Sequence, residues 1–144
     1  MKVKDIMTEN PVCCVAEASL EEVARMMVEN DCGAIPVVED QQKWRPIGVI
    51  TDRDITCRAV AEGKNPLELD AADCMTPDPV TIAEDADLEE CIALMEKHKL
   101  RRILVVDAVG SCTGIVAQAD IALSAPEEET GEVVEEVSRR LEDA

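Results

Sequence analysis

The stretches GVITDRDI at residues 48–55 and GIVAQADI at residues 114–121 are two versions of one motif. Each has a short apolar run with β-branched residues, then a polar turn, then an aspartate followed by isoleucine. Such a run predicts a buried strand, and the polar turn after it predicts the start of a helix. The same strand-to-helix turn is therefore predicted twice, which indicates an internal duplication.

The repeat extends well beyond this motif. Residues 4–39 align with residues 72–107 without a gap, and 13 of the 36 pairs are identical. The motif itself follows after a two-residue deletion in the second copy. Because one copy alone is too small to bury a good core, we expect the two copies to pack together.

Both copies predict the same order of strand, helix, strand, strand, helix, preceded by a short helical turn at DIM or DCM. Ser19 and Asp87 are predicted N-caps, each with a glutamate three positions later and apolar residues at helical spacing beyond it. The predicted strands are short and rich in β-branched residues, and they lie at residues 12–15, 34–38, 47–51, 80–83, 103–106 and 113–117.

The predicted organisation is a first repeat at residues 1–62, a linker at 63–70, a second repeat at 71–125 and an acidic tail at 126–144. The tail carries valines and a leucine at helical spacing, which predicts a modest amphipathic helix. We expect that helix to serve packing or dimerisation. Its apolar positions are Val133, Val134, Val137 and Leu141.

Composition limits the classes of function. The 144 residues carry a net charge of -18 with a mean hydropathy of -0.06. So acidic a chain is repelled by nucleic acid and by anionic membrane surfaces. No apolar run is long enough to span a membrane, and the charged start is unlike a secretion signal. We therefore expect a cytoplasmic protein with neither nucleic acid nor membrane as partner.

The seven cysteines include no Cys-x-x-Cys pair, and His98 is the single histidine. A zinc or iron–sulfur site is therefore not expected. We expect Cys91 and most of Cys32, Cys57, Cys74 and Cys112 to be small buried hydrophobes. The adjacent Cys13 and Cys14 suggest redox chemistry only weakly, because neighbours on a strand point to opposite faces.

The motif DIMT-x-x-PV, a capped helix, an Ile-Pro-Val-Val strand and the Gly-Val-Ile-Thr-Asp-Arg-Asp-Ile turn occur together, with counterparts in the second copy. This arrangement resembles a pair of CBS (cystathionine β-synthase) domains over residues 3 to 124. The resemblance implies an α/β fold of two β-α-β-β-α repeats about a pseudo-twofold axis, with ligand clefts between them. It also implies binding of adenine nucleotides or related adenosyl compounds and regulation of another protein, here unidentified.

The turn at residues 51–54 offers chemistry suited to a phosphorylated sugar. Asp54 can accept hydrogen bonds from ribose hydroxyls, while Thr51 and backbone N–H groups can bind phosphate, with Arg53 beside them. Alternatively, Thr51 or Asp52 simply caps the helix. Recurrence of the aspartate as Asp120 favours a functional role, and the family resemblance assigns ribose to Asp54 and Asp120 and phosphate to Thr51.

The second copy departs from this pattern, since Ala117 replaces the threonine and Gln118-Ala119 replaces Asp-Arg. Arg101 and Arg102, at the start of the central strand of that copy, could supply the missing charge. They belong to a basic cluster with Lys97 and Lys99, the only bases between residues 71 and 125. A solvated helix end would explain the same cluster equally well.

Trp44 is the only aromatic residue, and we expect it to pack or to contact a second copy rather than hold a ligand. An adenine ring must then lie between aliphatic groups and have its edge read by backbone atoms near Cys14 and Ile82. The aliphatic candidates are Ala34, Ile35, Pro36, Ile103 and Leu104.

The expected function is a non-catalytic sensor that binds AMP, or else ADP, ATP or another adenosyl ligand, without requiring a cofactor. Nucleophile–base pairs and phosphate-loop motifs are missing from the sequence, so we do not expect an enzyme. A homodimer is expected, because the repeats and tail leave apolar surface to cover. The alternative is a redox- or metal-responsive interaction protein that uses Cys13, Cys14 and His98.

Overall fold

The structure is a computed structural model that describes residues 1–124. The predicted tail helix lies outside these residues. The described chain is mixed α/β, as predicted. Its elements in chain order are β1 (Thr8–Glu9), β2 (Cys14–Val15), α1 (Leu20–Asn30), β3 (Ala34–Val38), β4 (Pro46–Thr51), α2 (Asp52–Ile55), α3 (Ala71–Cys74), β5 (Thr76–Pro77), β6 (Thr81–Ala83), α4 (Leu88–His98), β7 (Arg102–Val106), β8 (Cys112–Ala117) and α5 (Gln118–Ser124).

The chain forms two compact units. Among the described residues, the first unit contains 11–79 and 110–112, and the second contains 1–10, 80–109 and 113–124. These units differ from the sequence repeats at 1–62 and 71–125, because the segment that opens each repeat lies in the unit of the other.

The first unit contains a sheet in the order β2-β3-β4-β5. Strands β2 and β3 are parallel, whereas β3 with β4 and β4 with β5 are antiparallel. Helix α1 crosses between β2 and β3, which is the connection that a parallel pair requires. Helix α2 continues beyond Ile55 as a wider turn at Thr56–Val60.

The second unit repeats this arrangement with a sheet in the order β1-β8-β7-β6. Strands β6 and β7 are parallel, with α4 as the crossover between them, and β1 is antiparallel to β8. The predicted strands are present in both units with ends shifted by up to two residues. The short edge strands β1 and β5 were not predicted.

Each edge strand passes close over a glycine of its neighbour. A Cβ atom at Gly48 would lie 2.7 Å from Met75 Sδ and 2.9 Å from the backbone oxygen of Thr76. At Gly114 an added Cβ would collide with Met7 Sδ and lie 3.1 Å from Thr8 O. Glycine is therefore required for the edge strand of each sheet to approach its partner.

Each unit has its own hydrophobic core beneath its sheet. In the first unit the core is built on Leu20, Val23, Ile35, Val37 and Ile50. The second unit uses the corresponding residues of α4 and its strands, which include Leu88, Cys91, Met95, Ile103 and Val105.

The helix caps follow the sequence in part. Ser19 Oγ accepts a hydrogen bond from the Glu22 N–H at 3.1 Å, as an N-cap should. Asp87 occupies the N-cap position of α4, but its side chain makes no capping bond. Its carboxylate instead accepts from Lys2 Nζ at 2.8 Å, which lowers the pKa of Asp87 and raises that of Lys2. Local sequence patterns could not predict this ion pair, because its two residues lie 85 positions apart.

The Gly48→Ala variant should lose about 1–3 kcal/mol of unfolding free energy, because the added methyl group meets a backbone oxygen that cannot move aside. Urea denaturation measures the loss. Gly63→Ala is the control, since an added Cβ there meets nothing within 4 Å and only its φ of 76° disfavours alanine, at a cost of about 1 kcal/mol. A loss at Gly48 no larger than that at Gly63 would contradict the close approach.

Candidate functional site

The turn from β4 to α2 in the first unit is closed by a reciprocal pair of hydrogen bonds. Thr51 Oγ1 accepts from the Asp54 N–H at 3.0 Å, and Asp54 Oδ2 accepts from the Thr51 N–H at 2.9 Å. This is a capping box, which satisfies two backbone donors at the helix start. The capping interpretation of Thr51 is therefore confirmed, and its hydroxyl already has a structural partner.

Asp54 is also tied to the rest of its unit. Its Oδ1 lies 4.0 Å from Nε of Arg58, and its side chain is 17% exposed. Arg58 in turn donates to the backbone oxygens of Cys74 and Met75 at 3.0 and 2.9 Å. The carboxylate predicted to bind ribose thus also orders the segment that leads into β5.

The face of this turn carries a negative charge. Asp52 Oδ1 accepts from the Arg53 N–H at 2.8 Å, and the carboxylate lies against Gly33, whose Cβ position would be 3.0 Å from Asp52 Oδ2. Arg53 is exposed. Ala34 lies opposite Thr51 in the ladder of β3 and β4, so the predicted residues Ala34, Thr51 and Asp54 do come together.

The turn from β8 to α5 in the second unit keeps half of this arrangement. Asp120 Oδ2 accepts from the Ala117 N–H at 2.7 Å, as Asp54 does in the first unit. Ala117 has no hydroxyl with which to return the bond. The Gln118 N–H donates to Arg101 O at 2.9 Å, which corresponds to the bond of 3.0 Å from Asp52 N–H to Gly33 O.

A surface cavity of about 350 Å³ lies at this second turn. Both arginines of the predicted phosphate site line it, and none of the lining residues within 1–124 is a carboxylate. Its lining consists of Arg101, Arg102, Ala117, Gln118, Ala119 and Ala122. The remainder of the basic cluster belongs to the helix end, with Lys97 and His98 in the last turn of α4 and Lys99 at its C-cap.

The aliphatic candidates divide according to strand alternation. The side chains of Ile35 and Ile103 are packed in the two hydrophobic cores, and so are those of Cys14 and Ile82. Ala34, Pro36 and Leu104 alternate with these core residues along β3 and β7 and belong to neither core cluster. Ala34 is half-buried, whereas Pro36 and Leu104 are buried.

The cysteines are less uniformly buried than predicted. Cys14, Cys74 and Cys91 are buried, but Cys57 is exposed, which contradicts the expectation for that residue. It lies on the wide turn after α2, where an apolar neighbour in sequence does not share its face. Burial raises the pKa values of the Cys14 and Cys91 thiols to about 11.

Comparison with known proteins identifies the family. The CBS-domain family model matches residues 3–59 and 71–127, which is most of the chain. The protein belongs to the CBS-domain family. The tandem arrangement predicted from the repeat is thus confirmed.

Individual relatives span nearly the same length. The chain is 39% identical to the uncharacterized protein YlbB of Bacillus subtilis over 123 residues, which are 85% of this chain and 81% of that protein. A structure of Hypoxic Response Protein I with two coordinated zinc ions shares 32% identity and a TM-score of 0.76, covering 88% of this chain and 100% of that one. CBSX2 in complex with AMP shares 28% identity and a TM-score of 0.71, covering 86% and 95%.

Residues 1–124 contain neither a candidate metal site nor a candidate membrane-spanning helix. Within that range no cluster of three or more His, Cys, Asp or Glu side chains could hold a metal ion. None of the helices described there is both long enough and apolar enough to cross a membrane.

Replacing Asp54 or Asp120 with alanine should lower the unfolding free energy by about 1 kcal/mol even without any ligand, because each removes the acceptor at a helix start. Urea unfolding of the nucleotide-free protein measures this. Glu17→Ala, which removes an exposed carboxylate ahead of α1, should stay within about 0.5 kcal/mol of the parent. If the unfolding free energy of both aspartate variants equalled that of the parent, these carboxylates would have no capping role.

Proposed function

We propose that this protein is a non-catalytic regulatory module that binds an adenine nucleotide, AMP first, with ADP, ATP or another adenosyl compound as alternatives. The observation that carries the proposal is the cavity at the β8–α5 turn, with Arg101 and Arg102 on its wall. The AMP complex of the related CBSX2 structure supports the choice of ligand.

The two arginines provide the phosphate chemistry. Both side chains are exposed, and the described residues that line the cavity with them include no acid. A guanidinium binds phosphate through two parallel hydrogen bonds, which lysine cannot do. The net charge of -18 does not prevent this, because carboxylates beyond a Debye length of about 8 Å are largely screened.

Asp120 provides the sugar chemistry in the same turn. One of its oxygens accepts from the Ala117 N–H, and a carboxylate has acceptor capacity for ribose hydroxyls as well. Leu104 on β7 is only 2% exposed, so the adenine ring would rest on the apolar residues of the cavity wall, and the backbone at Ile82 on β6 can read the ring edge.

The first unit makes a weaker phosphate site under this proposal. Its turn carries the negative charge of Asp52 where the second has the neutral Gln118. Asp54 and Arg53 can still contact a sugar and a phosphate there, with Ala34 and Pro36 beside them. We therefore assign the tighter AMP site to the second unit.

Arg101→Ala and Arg102→Ala should each weaken AMP binding by at least about tenfold, the effect of losing one charge-assisted contact to phosphate. Adenosine, which has no phosphate, should bind both variants as it binds the parent. Calorimetry with AMP, ADP, ATP, adenosine and GMP measures these affinities.

Arg25→Ala is the matched control for these variants, since Arg25 is 72% exposed and pairs with Glu21 on α1. It should leave AMP affinity unchanged. The proposal fails if no adenine ligand gives heat at millimolar concentration, or if Arg25→Ala weakens AMP as much as the cavity variants do.

We also propose that the protein forms a homodimer through an apolar groove on the first unit. The groove encloses about 420 Å³ between α1, the end of α2 and the loop before α3. Val28 is 82% exposed and Leu67 is 66% exposed on its walls. A second copy would remove this apolar surface from water.

Val28→Asp should convert a dimer of twice 15.7 kDa into a monomer at micromolar concentration, because it places a charge in the apolar contact. Sedimentation velocity measures the mass. Val109→Asp is the control, because Val109 is 78% exposed in the loop between β7 and β8 and is not among the residues that line the groove. A parent protein that sediments only as a monomer contradicts the proposed dimer.

A further inference from the structure

Two cysteines that lie 99 positions apart in sequence have their side chains in contact. Glu9 pairs with Gly114 and the Asn10 N–H donates to Thr113 O at 3.0 Å, so the residues that follow Asn10 run beside those that precede Thr113. There the Cys112 side chain is a hydrogen-bonding neighbour of the Cys13 thiol, which also donates to Pro11 O at 3.3 Å. Both residues belong to the first unit, where Cys112 arrives with the short segment 110–112. The adjacent Cys14 is buried in the core and pairs with Val37 in the sheet.

Two hydrogen bonds to the loop between β3 and β4 hold the segment 110–112 in place. The Cys112 N–H donates to Trp44 O at 2.9 Å, and Ser111 Oγ donates to Lys43 O at 2.9 Å. Cys13 is held by the strand β2 that begins at the next residue. The two sulfur atoms are therefore positioned by the surrounding hydrogen bonds of the same unit.

Both cysteines of the pair are partly accessible to solvent, as is Cys32. Cys13 and Cys112 are both half-buried, whereas Cys14, Cys74 and Cys91 are buried. The hydrogen bond to Cys112, burial and the charge of the Cys112 thiolate all raise the pKa of Cys13. The raised pKa makes Cys13 a poor first nucleophile, because a thiolate is the reactive form of a cysteine.

We propose that Cys13 and Cys112 form a reversible intramolecular disulfide when the protein meets a small disulfide such as glutathione disulfide. The Cys112 thiolate attacks one sulfur of the oxidant and releases one glutathione thiolate. Cys13 then loses its proton and attacks the Cys112 sulfur of the mixed disulfide, which releases the second glutathione. Two protein thiols are oxidised, and one glutathione disulfide is reduced to two thiols.

The consequence is a redox-controlled covalent link within the first unit. The bond would join segment 110–112 covalently to the residue that precedes β2 and would close a loop of about a hundred residues in the unfolded chain. This inference goes beyond the proposed nucleotide binding and does not depend on it, since it uses no residue of the arginine cavity.

The test treats the full chain with glutathione disulfide, blocks the remaining thiols by alkylation and maps the tryptic peptides by mass spectrometry. Cys112 is the only cysteine after Arg102, so its peptide is unambiguous. Cys13 and Cys14 share the peptide of residues 5–25, so variants must distinguish them. We expect the linked peptide in the parent, in Cys14→Ala and in Cys57→Ser, and its loss in Cys13→Ser.

A second measurement tests the effect of the disulfide on the folded protein. Oxidation should raise the thermal midpoint of the parent by about 5 °C and change the emission of Trp44, the only tryptophan, and reductant should reverse both. Cys112→Ser should show neither change while keeping the parent's circular dichroism. The proposal is overturned if the link persists in Cys13→Ser, if oxidation joins two chains instead, or if millimolar oxidant leaves all thiols of the folded parent free.

Discussion

Backbone pairing at two glycines determines how this chain is organised. Strand β5 pairs with β4 at Gly48, and β1 pairs with β8 at Gly114. In each case a methionine from the segment next to the edge strand covers the glycine. Because each edge strand comes from the segment that opens the other repeat, neither repeat completes its own sheet. This requirement gives a physical reason for the tandem arrangement, since a single copy would leave its sheet without an edge strand.

Most of the fold could be predicted because its elements have local signals. The apolar β-branched runs marked the inner strands, and Ser19 with helical spacing marked α1. Strands β1 and β5 are two residues each, too short for any periodicity, and their pairing depends on residues over 25 positions away. Local sequence patterns therefore could not show which sheet each opening segment joins, although the glycine in each copy of the motif was a usable signal.

The site was predictable in its location and less so in its chemistry. The repeated motif led to Asp54 and Asp120, but the sequence could not decide whether Thr51 only caps the helix, because its hydroxyl can accept from the Asp54 N–H and still donate to a ligand. The place of Arg101 depends on its backbone bond to Gln118, which is a matter of strand register. Likewise, nothing in the spacing of Cys13 and Cys112 indicated that their side chains meet.

The two turns share one frame and differ in charge. The first has Gly33, Ala34, Asp52 and Arg53 at the positions where the second has Arg101, Arg102, Gln118 and Ala119, so one face balances its charges and the other is doubly positive. The second turn also lacks the threonine hydroxyl that would close its capping box, and thus keeps one of two stabilising bonds. Duplication allows this divergence, because the first turn retains the complete cap while the second concentrates positive charge beside a cavity. In so acidic a chain, a local positive charge of this kind is what can select an anion.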